Sequence, residues 1–559
     1  MNNPFIDKIW LNNYPSRIPY SIDYPNKPLF YFLEETAKKH PNHPAIVFFG
    51  KEMTYAEIDE LSDRFAYYLK NNGINKGDII SILLPNTPQY VIAFWGILKV
   101  GAVINPLNPL YTEREITEMV DDAQSKMVIV LDALSFKLKG VFNKVDKVII
   151  TSIADFFPVP LKIGYTLKTI FKPVKVEKSS KIVKFSETII SEGKFKEQGI
   201  NPKEDLAVLQ YTGGTTGKPK GVMLTHMNLV ANTMQLKYWF PMQETKEVFV
   251  GLVPFFHIGG VTAALTFGTL WAAKLVILPR FHTKPTLETI TKYKVTFFMG
   301  VASIYIALDN VIKENKDKYS IDSIKLLGVG MAPCPQDLME LYKKDYGKDL
   351  LEGYGLTENA GVTFQQLVEN GPKIGSIGIP FPNTDAKIVN LETGELVGVN
   401  ESGELCIKGP HIAKGYLNRP DANERAFKDG WLYTGDMARI DEKGFFYILG
   451  RKDDVINVKG FQVYPREIEN ILEETGEVAE AAVIGIPDPY AIQKVIAFVI
   501  PQVGHEVNKE KLINLCKEKL VAYKVPSEII IENELPRSPI GKILKYALRD
   551  QAINNKKST

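Results

Sequence analysis

Blocks of apolar and polar residues succeed one another along the whole chain with changing periods. "PLFYFLEETAKKH" has apolar residues at helical spacing and predicts a helix. "AIVFFGKEMTYAEIDELSDRFAYYLKNNG" predicts a hairpin and then an amphipathic helix, with Thr54 as its N-cap and Gly73 as its stop. "DIISILLPN" and "MVIVLD" are short continuous apolar runs, the mark of buried strands, and "TPQYVIAFWGILKVG" between them predicts a helix. The pattern recurs through "KVIIT", "KLVILP", "FFMG" and "KLLGVG". Alternating strands and helices predict an α/β fold with parallel sheets.

From about residue 370 to 450 the rhythm shortens. "AKIVN", "GELCIKG", "GWLYTGD" and "GFFYILG" predict a small β-rich subdomain. After "GRKDD", the helix "PREIENILEET" leads to the strands "AAVIGI" and "KVIAFVI" and the helix "KEKLINLCKEKL", a compact α+β pattern. The expected division is an N-terminal domain over 1–452 and a C-terminal domain over 453–559.

One stretch tests the reading. Val248 to Ala273 contains no Asp, Glu, Lys or Arg. Pro254, His257, Gly259 and Gly260 interrupt it, so a buried strand–loop–helix is expected and not a membrane span.

Composition narrows the function. The chain has 559 residues and a net charge of +2, which disfavours a general nucleic-acid binder. Cys334, Cys406 and Cys516 are scattered and predict a reducing, cytoplasmic setting. The N-terminus lacks the basic start and apolar core of a secretory signal. Residues 156–184 differ: seven lysines and one glutamate are mixed with Phe, Leu, Ile and Tyr. That composition suits peripheral contact with the inner face of a membrane, against the plainer reading of a solvated excursion.

Candidate chemistry lies in five stretches. "YTGGTTGKPKG", Tyr211 to Gly221, has glycines that let backbone N–H groups converge on an anion and threonines that add donors. It is not a Walker loop: three residues separate Gly213 from Gly217, and Pro219 follows Lys218 where a hydroxyl is required. "EGYGLTEN" offers a ring at Tyr354 for a base, a hydroxyl at Thr357 and a carboxylate at Glu358 that could hold Mg²⁺. "GWLYTGD" places Asp436 where a carboxylate could accept ribose hydroxyls. "GRKDDVINVKGFQVYPREIE" sits on the domain boundary, and "LPRSPIGKILKYALR" carries Lys542 in a turn. Each alone is a weak signal and reads better as an ordinary loop.

In order and spacing the five resemble the motifs of the adenylate-forming, acyl-activating superfamily, from about residue 28 to 549, and most of all long-chain fatty acid–CoA ligases. The resemblance implies ATP and CoA as substrates, Mg²⁺, an acyl-adenylate intermediate, and a small mobile C-terminal domain. It implies that Thr212, Gly213, Gly214, Thr215, Thr216 and Lys220 wrap the β- and γ-phosphates. Gly330, Ala332, Gly353, Tyr354 and Gly355 would border the nucleotide, Thr357 the α-phosphate, Glu358 the Mg²⁺, and Asp436 and Arg451 the ribose. Lys542 would bridge substrate carboxylate and α-phosphate, Asp453 would be the hinge, and Gly460 would line the CoA path.

On the acyl side, "VPFFHIGGV" places His257 near the carboxylate channel and Gly259, Gly260 and Val261 at the acyl pocket. Amino-acid-activating relatives carry an aspartate where His257 stands, because a buried ammonium needs a counter-charge. Its absence disfavours an amino-acid substrate, and the resemblance to long-chain ligases implies a medium- to long-chain fatty acid. Asn359 and Gln365 depart from the small apolar residues of long-chain ligases and keep a short-chain, hydroxy or aryl acid as the alternative. A homodimer is a further expectation. The rival from another class is a non-catalytic nucleotide sensor on membranes.

Overall fold

The computed structural model describes residues 3–171, 179–190, 199–212, 219–369, 371–459, 461–488, 490–537 and 543–557. Its N-terminal part is organised around the helix Pro88–Lys99, every residue of which is buried. The Thr87 side chain caps it by accepting from the Tyr90 N–H, and Pro88 occupies the first turn, where no N–H is needed. Lys99 is buried only because its ammonium meets Asp59 at 2.6 Å and Asp63 at 2.5 Å.

Two large sheets account for the strand–helix alternation. The first has seven strands, in the order Ile182–Lys184, Lys147–Thr151, Met127–Leu131, Ile79–Leu83, Val103–Pro106, Leu206–Thr212 and Lys220–Thr225. All neighbours are parallel except the last pair, a hairpin. The second has nine strands, with a parallel centre of Leu350–Tyr354, Leu326–Val329, Phe297–Gly300, Val248–Gly251, Lys274–Ile277 and Pro44–Phe48. Parallel strands are covered on both faces, which is why they are near-continuous apolar runs in the sequence.

The charge-poor stretch is a buried strand–loop–helix. Val248–Gly251 is a central strand, and Ile258–Gly260, Val261–Thr266 and Phe267–Leu270 run on as α, π and α helix. Among the described residues no helix is long and apolar enough to cross a membrane. Thr54 is the N-cap of Tyr55–Asn71, with a complete capping box through Glu57, and Gly73 follows with φ +83°.

The short-strand region forms a five-stranded sheet of Asp385–Val389, Gly403–Lys408, Phe427–Lys428, Trp431–Ile440 and Phe446–Arg451. A fourth sheet holds Ile456–Val458, Phe461–Val463, Val478–Asp488, Ile492–Pro501 and Glu528–Ile531. Helices Pro465–Glu473 and Lys509–Lys519 contribute Ile468, Leu472, Leu512 and Cys516 to one of its apolar clusters; Leu548 and Ala552 of Lys545–Lys557 belong to another.

Candidate active site

A cleft of about 2310 Å³ opens at the carboxyl ends of three parallel strands, Phe297–Gly300, Leu326–Val329 and Leu350–Tyr354. That end of an open α/β sheet is where ligands bind, because loops there converge while the strands stay rigid. Residues of the C-terminal sheet and helices, Arg466, Glu469, Ile543 and Lys545 among them, close the opposite wall.

One end of the cleft is polar. Asp436 leaves the strand Trp431–Ile440 with its carboxylate buried. Oδ2 accepts from the Tyr354 hydroxyl at 2.6 Å, and Oδ1 accepts from Arg451 Nη1 at 2.9 Å. Burial and the adjacent Asp436 push the Tyr354 phenol upward, so it remains a donor. Burial acts to lower the Arg451 pKa, but Asp436 outweighs it and the guanidinium stays charged. Two of the carboxylate's four lone-pair sites remain for a ligand. Gly330, Ala332, Gly353, Gly355 and Thr357 border the same space. Gly355 must be glycine: a Cβ there would stand 1.6 Å from the Gly361 carbonyl oxygen. Met331, between Gly330 and Ala332, has φ +65°, a costly backbone conformation of the kind found at ligand sites.

The hairpin Leu206–Thr212/Lys220–Thr225 brings Thr212 opposite Lys220, and both border the cleft. Gly213, Gly214, Thr215 and Thr216, between these strands in sequence, lie outside the described residues, as do Gly460 and Lys542. Residues 413–417 clasp two site loops together. Lys414 N–H donates to Met223 O and Leu417 N–H to Gly221 O, while Ala413 N–H donates to Glu358 O at 2.8 Å. Within this clasp the Tyr416 hydroxyl donates to Glu358 Oε1 at 2.8 Å, and Lys220 Nζ stands 4.8 Å from the Tyr416 ring centre. Tyr416 stands in none of the five sequence motifs. Its signal was faint, an aromatic after glycine in "AKGYL".

The other end is apolar. His257 N-caps Ile258–Gly260: its Nδ1 accepts from the Gly259 N–H at 3.1 Å. Burial lowers its pKa to about 4, so the neutral ring carries its proton on Nε2. Gly259 borders the cleft, and a Cβ there would meet only the His257 ring. Gly260 and Val261 do not border it, which corrects the expectation for both. A Cβ on Gly260 would stand 2.1 Å from the Pro254 carbonyl oxygen, so that glycine serves a close backbone approach, and Val261 is 1% exposed within the core. The pocket wall comes instead from Ala263, Phe267, Phe240, Phe297 and Met299. The rings of Phe240, Phe267 and Phe297 lie 6.0–6.2 Å apart and converge on one another. Sequence patterning could not separate these aromatics from ordinary core residues.

Asn359 is fully buried, and its Oδ1 accepts from the Leu356 N–H at 2.7 Å. The amide nitrogen of Gln365 donates to the carbonyls of Leu351 and Glu352. Both polar side chains brace backbone. Glu352 also borders the cleft; burial pushes its carboxyl up to about 7, against the Cys334 N–H and Arg466.

Residues 33–417 match the AMP-binding enzyme family, and residues 467–542 match the AMP-binding enzyme C-terminal domain. The chain belongs to the AMP-binding enzyme family. It is 40% identical to a long-chain-fatty-acid–CoA ligase of Bacillus subtilis over 98% of this chain and 99% of the relative. A long-chain-fatty-acid–CoA ligase of Salmonella typhimurium is 37% identical, over 98% and 100%. Among solved structures, the O-succinylbenzoate coenzyme A synthetase of Bacillus subtilis in complex with ATP and magnesium ion superposes with a TM-score of 0.75. It is 27% identical and covers 94% of this chain and 99% of its own.

In this AMP-binding enzyme the segment joining the third and fourth sheets is held from both sides. Arg451 pairs with Asp436, and Lys452 Nζ meets Glu404 at 2.9 Å. Asp454 faces Arg549 of the last helix at 3.5 Å. Asp453, between them, is exposed and borders the cleft. Lys545 Nζ meets the buried Glu469 at 2.6 Å, and Ile543 borders the cleft, so the described residues just after Lys542 sit at the site.

Proposed function

We propose that the protein is an AMP-forming acyl-CoA ligase that activates a medium- to long-chain fatty acid. The acid's carboxylate attacks the α-phosphate of ATP, pyrophosphate leaves, and the acyl group of the adenylate passes to the CoA thiol. The observation that carries this reading is one cleft bordered by the polar Tyr354–Asp436–Arg451 group and by Phe240, Phe267 and Phe297, with His257 and Thr357 also on its wall. The likeness to long-chain-fatty-acid–CoA ligases over almost the whole chain supports it.

The roles follow from the chemistry. Asp436 accepts ribose hydroxyls, with Arg451 holding its charge and Tyr354 flanking adenine. Thr212, Gly213, Gly214, Thr215, Thr216 and Lys220 grip the phosphates that leave. Thr357 donates to the α-phosphate. His257 donates from Nε2 to the substrate carboxylate, acting as a neutral donor and not as a base. Lys542 bridges the two anions that must react, a task suited to a mobile point charge.

Among the described residues no group of three or more His, Cys, Asp or Glu side chains could hold a metal ion. One carboxylate, Glu358, fits a magnesium ion that arrives with its nucleotide, since magnesium is commonly held by one or two carboxylates plus substrate phosphates. Bound there, it supplies charge neutralisation at phosphate oxygens. The domains divide at 452/453, with Asp453 as the hinge that clears Lys542 and brings Gly460 to the CoA path. The same reading includes association as a homodimer and a cytoplasmic protein seated on a membrane through residues 156–184.

Pyrophosphate release with acids of graded length, with Lys542→Ala as control, tests the assignment. The variant is expected to lose adenylation yet convert supplied acyl-AMP to acyl-CoA. If the wild type releases no pyrophosphate with any of the acids, the ligase reading fails.

A further inference from the structure

The helix Val159–Phe171 lies between the sheet strands Lys147–Thr151 and Ile182–Lys184 in the chain, and its sequence "VPLKIGYTLKTIF" contains no acidic residue. It touches the body of the protein on one side, where the Tyr165 ring meets Phe157 edge-on at 5.9 Å. With 3.6 residues per turn, Val159, Ile163 and Leu167 fall in one stripe about 80° wide, on a different side from Tyr165. Those three are 71%, 57% and 55% exposed. Leu161 is exposed as well, and Phe49, whose ring lies 4.8 Å from Phe157, is half-exposed beside the anchor. A core-facing helix buries such a stripe; here it faces away. Lone exposed apolar residues are ordinary, but a contiguous, helically spaced row marks a surface that something covers.

Charge identifies the occupant. Residues 156–184 hold seven lysines and one glutamate, in a chain whose net charge is +2; Lys162 and Lys184 are exposed, while Lys181 Nζ donates to the carbonyls of Phe142 and Val145. Lys162 sits on the same helix, one position before Ile163. A second copy of this chain docked on the same face would set one lysine-rich segment against another, and like charges would oppose it. An anionic leaflet offers both things the helix lacks, apolar depth for the stripe and negative head groups for the lysines.

We propose that Val159–Phe171 is a lipid-docking helix that lies in the interface of an anionic bilayer, with Val159, Ile163 and Leu167 inserted. This deepens the membrane contact included in the proposed function and rests on that reading only for its biological sense: an enzyme acting on a membrane-partitioned acid gains from a seat on the membrane.

The test is co-sedimentation of the full-length protein with vesicles of phosphatidylcholine alone and of phosphatidylcholine with phosphatidylglycerol. The wild type is expected to bind the anionic vesicles, and to bind several-fold less at high salt. Ile163→Glu/Leu167→Glu is expected to weaken binding at least about tenfold, with unchanged melting temperature and turnover of octanoate. Ile163→Ser/Leu167→Ser, milder at an exposed site, keeps the test valid if the charged pair fails to fold. Absence of wild-type binding to anionic vesicles, or equal binding by the folded variants, overturns the proposal. A wild type that does not bind vesicles but changes from dimer to monomer on substitution shows self-association instead. Absence of turnover by the wild type with every acid tested would sink the ligase reading and leave the vesicle result standing.

Discussion

The two ends of the cleft are built by different means. At the polar end Tyr354 and Arg451 are tied to Asp436, and Tyr416 to Glu358, by directional bonds. The apolar end is a matter of shape: Gly259 carries no side chain there, and the rings of Phe240, Phe267 and Phe297 converge on one another. A polar site fails when one partner is lost, because a buried charge is stranded. An apolar site fails by degrees, in proportion to volume gained or lost. Substitutions should therefore give steep losses at one end and graded shifts at the other.

The largest effect is expected for Asp436→Ala, which strands the Arg451 guanidinium. Breaking a buried pair costs about 3–5 kcal/mol; a loss of that size in transition-state binding is roughly a hundred- to several-thousandfold in kcat/KM, measured by pyrophosphate release. A similar loss at Tyr354→Phe would show that the end is not organised around the carboxylate.

Acidification comes next. His226, His257 and His411 are buried, with pKa values lowered by burial to about 4, 4 and 3. The unfolded chain takes up protons on these rings first, below about pH 6.5, so stability falls as pH drops from there towards 4. Near pH 5 each ring costs about 2 kcal/mol. Glu352 acts with the opposite sign, since protonation below about 7 relieves its burial, and Asp132 and Glu473, raised by burial, act with it; His43, Asp205 and Glu244, whose pKa values are lowered, act with the three rings. Thermal melting between pH 7 and 5 should show a falling midpoint; a flat profile would mean the rings are not held neutral.

Gly259→Leu should cut kcat/KM for long acids by tenfold to about a hundredfold, the cost of overfilling a packed site. ATP affinity by calorimetry should be unchanged, and a parallel loss there would erase the separation of the two ends. Phe240→Ala should move the preferred acid to longer chains, by about fourfold in relative kcat/KM for each added methylene accommodated. A uniform loss at all lengths would mean the aromatics are not the floor.

The smallest effect is expected at Tyr416→Phe. Removing one hydrogen bond costs about 1 kcal/mol net, and the Glu358 carbonyl keeps its bond from the Ala413 N–H. A several-fold weaker Mg²⁺ dependence of ATP binding, read by calorimetry, would mark Tyr416 as orienting Glu358. No change would leave it as packing for Lys220.

Much of this molecule was readable in one dimension. Strand runs, the Thr54 cap and the buried character of Val248 to Ala273 depend on local pattern, and local pattern survives folding. Tyr354, Asp436 and Arg451 stand in motifs that single them out, because directional chemistry demands particular residue types at particular spacings, and the structure bonds the three together. The apolar end of the cleft carries no such mark. Gly259 and Gly260 are neighbours of the same kind, yet one opens into the cleft and the other lets a turn pass within contact of Pro254. Phe240, Phe267 and Phe297 come from three separate elements and have the composition of any core. The same limit applies to Tyr416, whose partners Glu358 and Lys220 come from distant loops, and to Val159–Phe171, whose apolar residues look like core until the fold leaves them outside. Sequence by itself determined which elements form and which chemistry the polar loops can support, because both follow from residue type and short spacing. Only the tertiary structure decided where the cleft ends, what orients its carboxylates and which apolar face stays uncovered, because volume and exposure are shared among residues that meet only when the chain has folded.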